Sequence, residues 1–140
     1  MTVRIAEIAD LARLGQVPAA AIASISDADK NAALDAASEW LYGELDARFK
    51  QPYQSWTDSA REVVCFRAMG AIMGKRGFAQ TAGADVGINA RYEEARLSAI
   101  ACARGEKSLG IVGAADQSPG FDAPRIIGQP LQGWQGRAIR

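Results

Sequence analysis

The chain has 140 residues, of which 49% are hydrophobic and 7% aromatic, so we expect one domain with a modest, alanine-rich core. The chain has 16 basic and 16 acidic residues, so it lacks the excess of basic residues that is typical of a free-standing nucleic-acid-binding domain. Histidine is absent, and this removes the commonest general base, the histidine-dependent nucleophilic dyads and nearly all catalytic zinc sites.

Two further features bear on cofactors and on location. Cys65 and Cys102 stand far apart among apolar neighbours, so we expect buried thiols in a reducing cytosol and no metal site. The N-terminus carries Glu7 and Asp10 and has no sustained apolar run, unlike a secretion signal. The expected product is soluble and cytoplasmic and uses no cofactor.

Apolar spacing predicts the first two helices. A short helix is expected over residues 6–14, ended by Gly15. The small residues that follow form either a turn or one or two turns of helix. Ser26 is suited to cap a long second helix that runs to about Phe49 and is closed by Pro52. Its core side carries Leu34, Ala37, Leu41, Leu45 and Phe49, and its opposite, acidic side carries Asp35, Glu39 and Asp46.

Arg48, Tyr53 and Trp56 each allow two interpretations. Arg48 lies at the edge of the face, where its stem covers the core, or it is partly buried and binds carboxylates or the carbonyls of a helix end. Tyr53 and Trp56 are expected to close the end of the bundle rather than to bind a ligand.

The stretch VVCFRAMGAIM, residues 63–73, predicts the central element of the fold. It has a single charge, Arg67, and is apolar on all sides, so other helices must cover it. It is too short to span a bilayer. This helix is expected to begin at Thr57 or Asp58 and to end near residues 75–77. Gly70 and Gly74 either let a neighbouring helix approach closely or are merely tolerated.

A loop over residues 79–87 and a third long helix over residues 88–104 follow. Ile88, Tyr92, Ala95, Ala99 and Ala103 share one face of this helix, and Gly105 stops it. Leu97 lies on the opposite, polar face, where it is expected to be exposed and would be a contact in an oligomer.

The last residues, 110–140, contain six glycines and three prolines and have no helical period. Large apolar residues and arginines nevertheless occur there, which favours a segment that orders on a partner over a tail with incidental hydrophobic residues. The candidate partner-binding residues are Phe121, Arg125, Ile126, Ile127, Leu131, Trp134, Arg137 and Arg140.

Together these elements predict an all-α fold. We expect a small helical bundle of three long helices plus one or two short ones, with an extended C-terminal tail. The expected division is a helical domain over residues 1–110 and a partner-binding tail over residues 111–140.

No catalytic motif is present. The chain has no phosphate-binding glycine loop and no C-x-x-C motif, and the acidic residues of the second helix lie on a solvated face. A DNA-binding helix–turn–helix is disfavoured, because the arginines of the only candidate helix are offset by Glu93 and Glu94. The chain is not expected to be an enzyme.

The order and spacing of four segments resemble one known family. They are ADLARLG (9–15), ALDAASEWLYGELDARFKQPY (33–53), REVVCFRAMGAIMGKRG (61–77) and RYEEARLSAIACARGEKSLG (91–110). In this order they resemble the small head–tail adaptor (connector, or head-completion) proteins of long-tailed bacteriophages, in particular the Mu-like prophage family.

The resemblance implies a structural virion protein. Such adaptors form a ring of about twelve copies beneath the portal at the capsid vertex, assembled in the bacterial host cytoplasm. DNA passes through the lumen without sequence-specific binding, a tail or stopper protein docks below, and no membrane is involved. The C-terminal segment would reach the portal or the next subunit, and Asp35, Glu39 and Asp46 would line or border the lumen. The alternative is a small helical binding or regulatory module whose C-terminal tail is a peptide ligand for one host protein.

Overall fold

A computed structural model of the chain describes residues 3–16, 19–76 and 85–114. Within these residues the chain forms four α-helices, α1 (Ile8–Leu14), α2 (Asp27–Leu45), α3 (Asp58–Arg76) and α4 (Asp85–Ala103), and a 3-10 helix, Ala19–Ile22. The predicted all-α bundle of three long helices with short ones is therefore confirmed. The stretch before Ser26, for which two forms were considered, contains the 3-10 helix.

The central position predicted for the apolar helix is confirmed, because α3 packs against α1, α2 and α4. Its Val64, Cys65 and Ile72 side chains have no exposed surface. Burial on this scale contributes roughly 1.5–3 kcal/mol for each large apolar side chain before the entropy cost of ordering. None of the described helices is long and apolar enough to cross a membrane.

The second helix begins as predicted and ends earlier. The Ser26 hydroxyl accepts a hydrogen bond of 3.1 Å from the Asp29 N–H, which caps α2. The helix ends at Leu45 rather than near Phe49, because the N–H groups of Arg48 and Phe49 both donate to the Leu45 carbonyl and close a turn. This turn still keeps Phe49 half-buried against the core.

The first helix begins two residues later than predicted, because Glu7 is its N-cap and its N–H donates to the Asp10 carboxylate at 2.9 Å. Gly15 does not take the left-handed conformation expected of a terminating glycine, since its φ is −72°. The positive φ, 57°, belongs to Gln16. Glycine is needed at position 15 for a different reason: a Cβ there would overlap the Leu11 carbonyl oxygen.

The end of α4 at Gly105 is confirmed. Gly105 has a φ of 81°, its N–H donates to the Cys102 carbonyl at 3.0 Å, and the Glu106 N–H donates to the Ala101 carbonyl at 2.8 Å. This paired pattern is the glycine-ended helix terminus that satisfies the last carbonyls. The helix begins at Asp85 rather than at residue 88 or 89. Residues 79–84 of the predicted loop lie outside the described residues, and residues 85–87 belong to α4 rather than to the loop.

The bundle extends past the predicted boundary at residue 110. Leu109 and Ile111 are buried, and Val112 forms an isolated antiparallel bridge with Ser55. The Ala114 N–H then donates to the Lys50 carbonyl at 2.9 Å. Residues 111–114 are thus attached to the turn between α2 and α3. The tail beyond them, residues 115–140, lies outside the described residues, so the division into two parts stays a prediction.

Candidate functional site

The predicted partner-binding residues lie beyond the described part of the chain. They are Phe121, Arg125, Ile126, Ile127, Leu131, Trp134, Arg137 and Arg140. The structure does describe the residue after which this tail begins. Ala114 is fixed to Lys50, just past the C-terminal end of α2.

The predicted acidic face is exposed, as expected, and its members differ in their surroundings. Asp35 forms a two-point pair with the Arg4 guanidinium, at 2.6 Å and 3.2 Å, so its charge is partly balanced. Glu39 is exposed on the same helix. Asp46 is exposed and is the C-cap of α2. The assignment of these residues to a channel lumen stays a prediction.

Arg48 takes the second of its two interpretations. Its guanidinium donates a hydrogen bond to the Cys102 carbonyl at the end of α4, and it lies 4.9 Å from the centre of the Phe49 ring. A partly buried arginine on helix-end carbonyls both satisfies these acceptors and complements the negative end of the helix dipole.

The two aromatic residues after α2 close the end of the bundle, as predicted. The Tyr53 ring packs on Tyr42 with a centroid separation of 4.4 Å, and its edge meets Phe49. The Trp56 indole N–H donates to the Ile5 carbonyl at 3.0 Å, which ties the N-terminal segment to the bundle. These contacts are structural.

A surface pocket of about 410 Å³ lies among three of the described helices. It lies between the middle of α2, the C-terminal half of α3 and the N-terminal half of α4. It is lined by Ala33, Ala36, Ala37, Trp40, Arg67, Gly70, Ala71, Ile88, Asn89 and Tyr92. We call it the Arg67 pocket. Its size and its mostly apolar wall with a few polar groups are typical of ligand-binding recesses.

Arg67 is the polar centre of this pocket. Its guanidinium carbon lies 4.4 Å from the Trp40 ring centre and 4.6 Å from the Tyr92 ring centre. Such cation–π contacts contribute about 0.5–2 kcal/mol each, more where water is excluded. Among residues 3–16, 19–76 and 85–114, no carboxylate forms an ion pair with Arg67.

Gly70 makes the pocket wall possible, and Gly74 does not. A Cβ at Gly70 would overlap the Tyr92 ring, so this glycine lets α4 approach α3 closely. A Cβ at Gly74 would meet nothing within 4 Å. The close-packing interpretation is therefore correct for the first glycine, and the second is merely tolerated.

A second, shallower groove runs along the outer face of α4. It is lined by Ala90, Glu93, Glu94, Leu97, Ser98, Ala101 and Lys107. Leu97 is 55% exposed, which confirms the expected exposure of this side chain. The Lys107 ammonium donates to the Ser98 hydroxyl at 2.8 Å on the groove floor.

The two cysteines are buried free thiols, as predicted. Burial raises the pKa of the Cys65 thiol to about 12 and raises that of Cys102 as well. Neither thiol is therefore a ready nucleophile at neutral pH. The described residues contain no group of three or more histidine, cysteine, aspartate or glutamate side chains that could hold a metal ion.

Sequence reasoning missed the pocket, although one signal for it was present. Arg67 is the only charged residue of the apolar stretch 63–73 at the centre of α3. A charge at such a place needs stabilising partners, and the partners are aromatic rings from α2 and α4. No protein-family model, no curated protein and no solved structure matches the chain.

Proposed function

We propose that the protein is a structural head–tail adaptor of a bacteriophage virion. Copies form a ring that docks on the portal and links it to a tail or stopper protein, and DNA passes through the lumen. The order of the four segments that resemble the adaptor family supports this function. The observation that carries it is the fixed root of the tail: residues 109–114 attach to one end of the bundle, and the apolar anchors follow.

The chain's physical chemistry is consistent with a ring. The core of the bundle contains several alanines beside larger apolar side chains, and a small domain of this kind gains stability from its neighbours. Repeated head-to-tail contacts close into a ring when the rotation between copies fits. Burial of Phe121, Trp134 and the Ile126–Ile127 pair would contribute roughly 1.5–3 kcal/mol for each side chain before ordering costs. Repetition around the ring converts these modest contacts into strong attachment.

The test is deletion of residues 118–140. The deletion begins beyond Ala114, so the pairing of residues 109–114 with the bundle stays in place. We expect a soluble, helical protein that no longer joins portal-bearing heads. A matched control replaces Gln129, Gln132 and Gln135 with alanine, which changes the tail but none of its apolar or basic anchors. Normal attachment by the deletion protein would contradict the role of the tail.

The stoichiometry of the complex between the protein and its portal distinguishes the adaptor from the small binding module. Sedimentation of the purified protein with its portal should give a ring stoichiometry for an adaptor. A one-to-one complex with a single protein would instead favour the binding module.

A further inference from the structure

The Arg67 pocket has a definite chemical preference. Its walls are mostly alanine, glycine, isoleucine and aromatic surface, and Arg67 is the one charged residue among the described residues that line it. Contacts through the faces of Trp40 and Tyr92 leave the N–H groups of a guanidinium able to donate in its own plane. A group that fits therefore has an apolar body and a carboxylate close to it.

We propose that the Arg67 pocket of one copy receives the Phe121–Asp122 pair of a second copy of this chain. The Phe121 ring enters the apolar recess, and the Asp122 carboxylate accepts hydrogen bonds from Arg67. This inference rests on the proposed ring, in which the tail binds a neighbouring subunit. It names the acceptor surface for one of the tail's anchors.

Charge selects Phe121 from among the tail's anchors. Asp122 follows it directly in the sequence. The Ile126–Ile127 pair instead follows Arg125, and Ile139 lies between Arg137 and Arg140. The positive charge of Arg67 would repel these neighbouring arginines. Leu131 and Trp134 have no acidic neighbour. Asp116 has a charge of the right sign but no large apolar residue beside it.

The choice between a second copy and the chain's own tail follows from the proposed ring. Ala114 is bonded to Lys50 beyond the C-terminal end of α2, and the pocket adjoins the middle of α2, from Ala33 to Trp40. From Ala37 to Leu45 the helix rises about 12 Å. Phe121 follows Ala114 by seven residues, which span up to about 25 Å when fully extended and so exceed this rise. Disulfide trapping between two differently marked chains therefore has to distinguish the two sources of the tail.

Disulfide trapping in the full chain tests the assignment. One protein carries Ala36→Cys, at an exposed position of the pocket wall, and the other carries Ala123→Cys, next to Asp122. Cys65 and Cys102 are buried and do not compete. Mild oxidation of the mixture should give disulfide-linked dimers of the two proteins. Ala12→Cys, exposed on α1 and outside the pocket, replaces Ala36→Cys in the control and should give at least tenfold less dimer.

Tail variants show which side chains bind. Added to the Ala123→Cys protein, Phe121→Ala or Asp122→Asn should lower the yield of dimer at least tenfold, and Asp116→Asn should leave it unchanged. Circular dichroism checks that the helices are intact in every variant.

Two outcomes would overturn the proposal. A chain with both cysteines that forms an internal disulfide at high dilution, while the mixture gives no dimer, would assign the pocket to the chain's own tail. A dimer yield no higher than that of the Ala12→Cys control would remove the site altogether. In either case, the attachment to portal-bearing heads of the protein that lacks residues 118–140 is a separate measurement. Failure of the contact at the Arg67 pocket is therefore distinguishable from failure of the adaptor function.

Discussion

The Arg48 guanidinium donates a hydrogen bond to the carbonyl oxygen of Cys102, which also accepts the N–H of Gly105. One acceptor therefore joins the turn after α2 to the terminus of α4. The two helices have their C-terminal ends at the same end of the bundle, and a positive charge there faces the negative ends of both dipoles. This contact holds together the end of the bundle from which the tail departs.

Replacement of Arg48 by methionine should destabilise the bundle. Methionine retains most of the apolar stem but leaves the Cys102 carbonyl without its charged donor, so we expect a free energy of unfolding lower by about 1–3 kcal/mol. Urea denaturation followed by circular dichroism measures the change. Arg96→Met is the matched control, because Arg96 is exposed and pairs only with Glu93 one turn away among the described residues. Equal stability of the two variants would contradict the role of Arg48.

The glycines of α3 should respond oppositely to alanine. Gly70→Ala brings a Cβ into the Tyr92 ring and should lower the free energy of unfolding by about 1–3 kcal/mol. Gly74→Ala adds a methyl group in open space and should raise it by up to about 1 kcal/mol, because alanine has the better helix propensity. Thermal denaturation of the two variants checks the sign. A stabilising Gly70→Ala would show that Tyr92 is free to move away.

Local signals were sufficient to predict the helices but not the Arg67 pocket. The cap at Ser26, the apolar run of α3 and the stop at Gly105 each depend on residues close together in the sequence, and all three predictions are confirmed. The early end of α2 and the use of Gly15 depend on backbone hydrogen bonds that apolar spacing does not encode. The pocket joins Trp40, Arg67 and Tyr92, which are 27 and 25 residues apart in sequence, so only the packed bundle brings them together.

Two buried tyrosines provide a matched pair for testing the value of a satisfied hydroxyl. The Tyr42 hydroxyl donates to the Val3 carbonyl at 3.0 Å, whereas the buried Tyr53 hydroxyl has no partner among the described residues. Tyr42→Phe should therefore lower the free energy of unfolding by about 1 kcal/mol, and Tyr53→Phe should leave it unchanged or raise it by up to about 1 kcal/mol. Urea denaturation at pH 7 compares them.

The same tyrosines make stability depend on alkaline pH. Burial raises the pKa of Tyr53 above its usual value of about 10, so its phenol stays protonated in the folded state while the unfolded chain ionises. The stability that the protonated, buried Tyr53 phenol gives the folded state is fully present below about pH 10 and is lost as pH rises further. Tyr53→Phe should lose stability less steeply than the wild type in this range. Identical slopes would show that the hydroxyl is solvated.

Stability in acid should depend on Asp58, the first residue of α3. Hydrogen bonds from Arg13 and Arg61 lower its pKa to about 2. A lowered pKa contributes stability that is present above the unfolded value of about 4 and is lost as pH falls toward 2. The difference in unfolding midpoint between wild type and Asp58→Asn should therefore shrink across this window. It should also shrink in high salt, because the groups are exposed.

Arg13→Gln provides the second half of the Asp58 test. If the pair is responsible, Arg13→Gln and Asp58→Asn together should have a smaller effect than the sum of the single changes. Additive effects, or a difference that persists at pH 2, would contradict the assignment.

The acidic face offers a test in which function and stability should move in opposite directions. Asp46 is the C-cap of α2, where a negative charge opposes the helix dipole. Asp46→Lys should therefore stabilise the helix by about 0.3–1 kcal/mol at low ionic strength. If Glu39 and Asp46 border the lumen, reversal of both charges to lysine should make the channel bind DNA and slow its passage during ejection. Asp35 is left intact, because its reversal would also break the pair with Arg4.

Ejection of DNA from assembled particles measures this effect, with denaturation of the purified protein alongside. The control reverses Glu94 and Glu106, two exposed acids of α4 and the turn after it, and so makes the same change in net charge. We expect slower ejection only for the Glu39→Lys, Asp46→Lys protein, and the gain in stability is expected of Asp46→Lys measured by itself. Normal infectivity of that protein would remove α2 from the channel wall, and equal slowing by the control would assign the effect to overall charge.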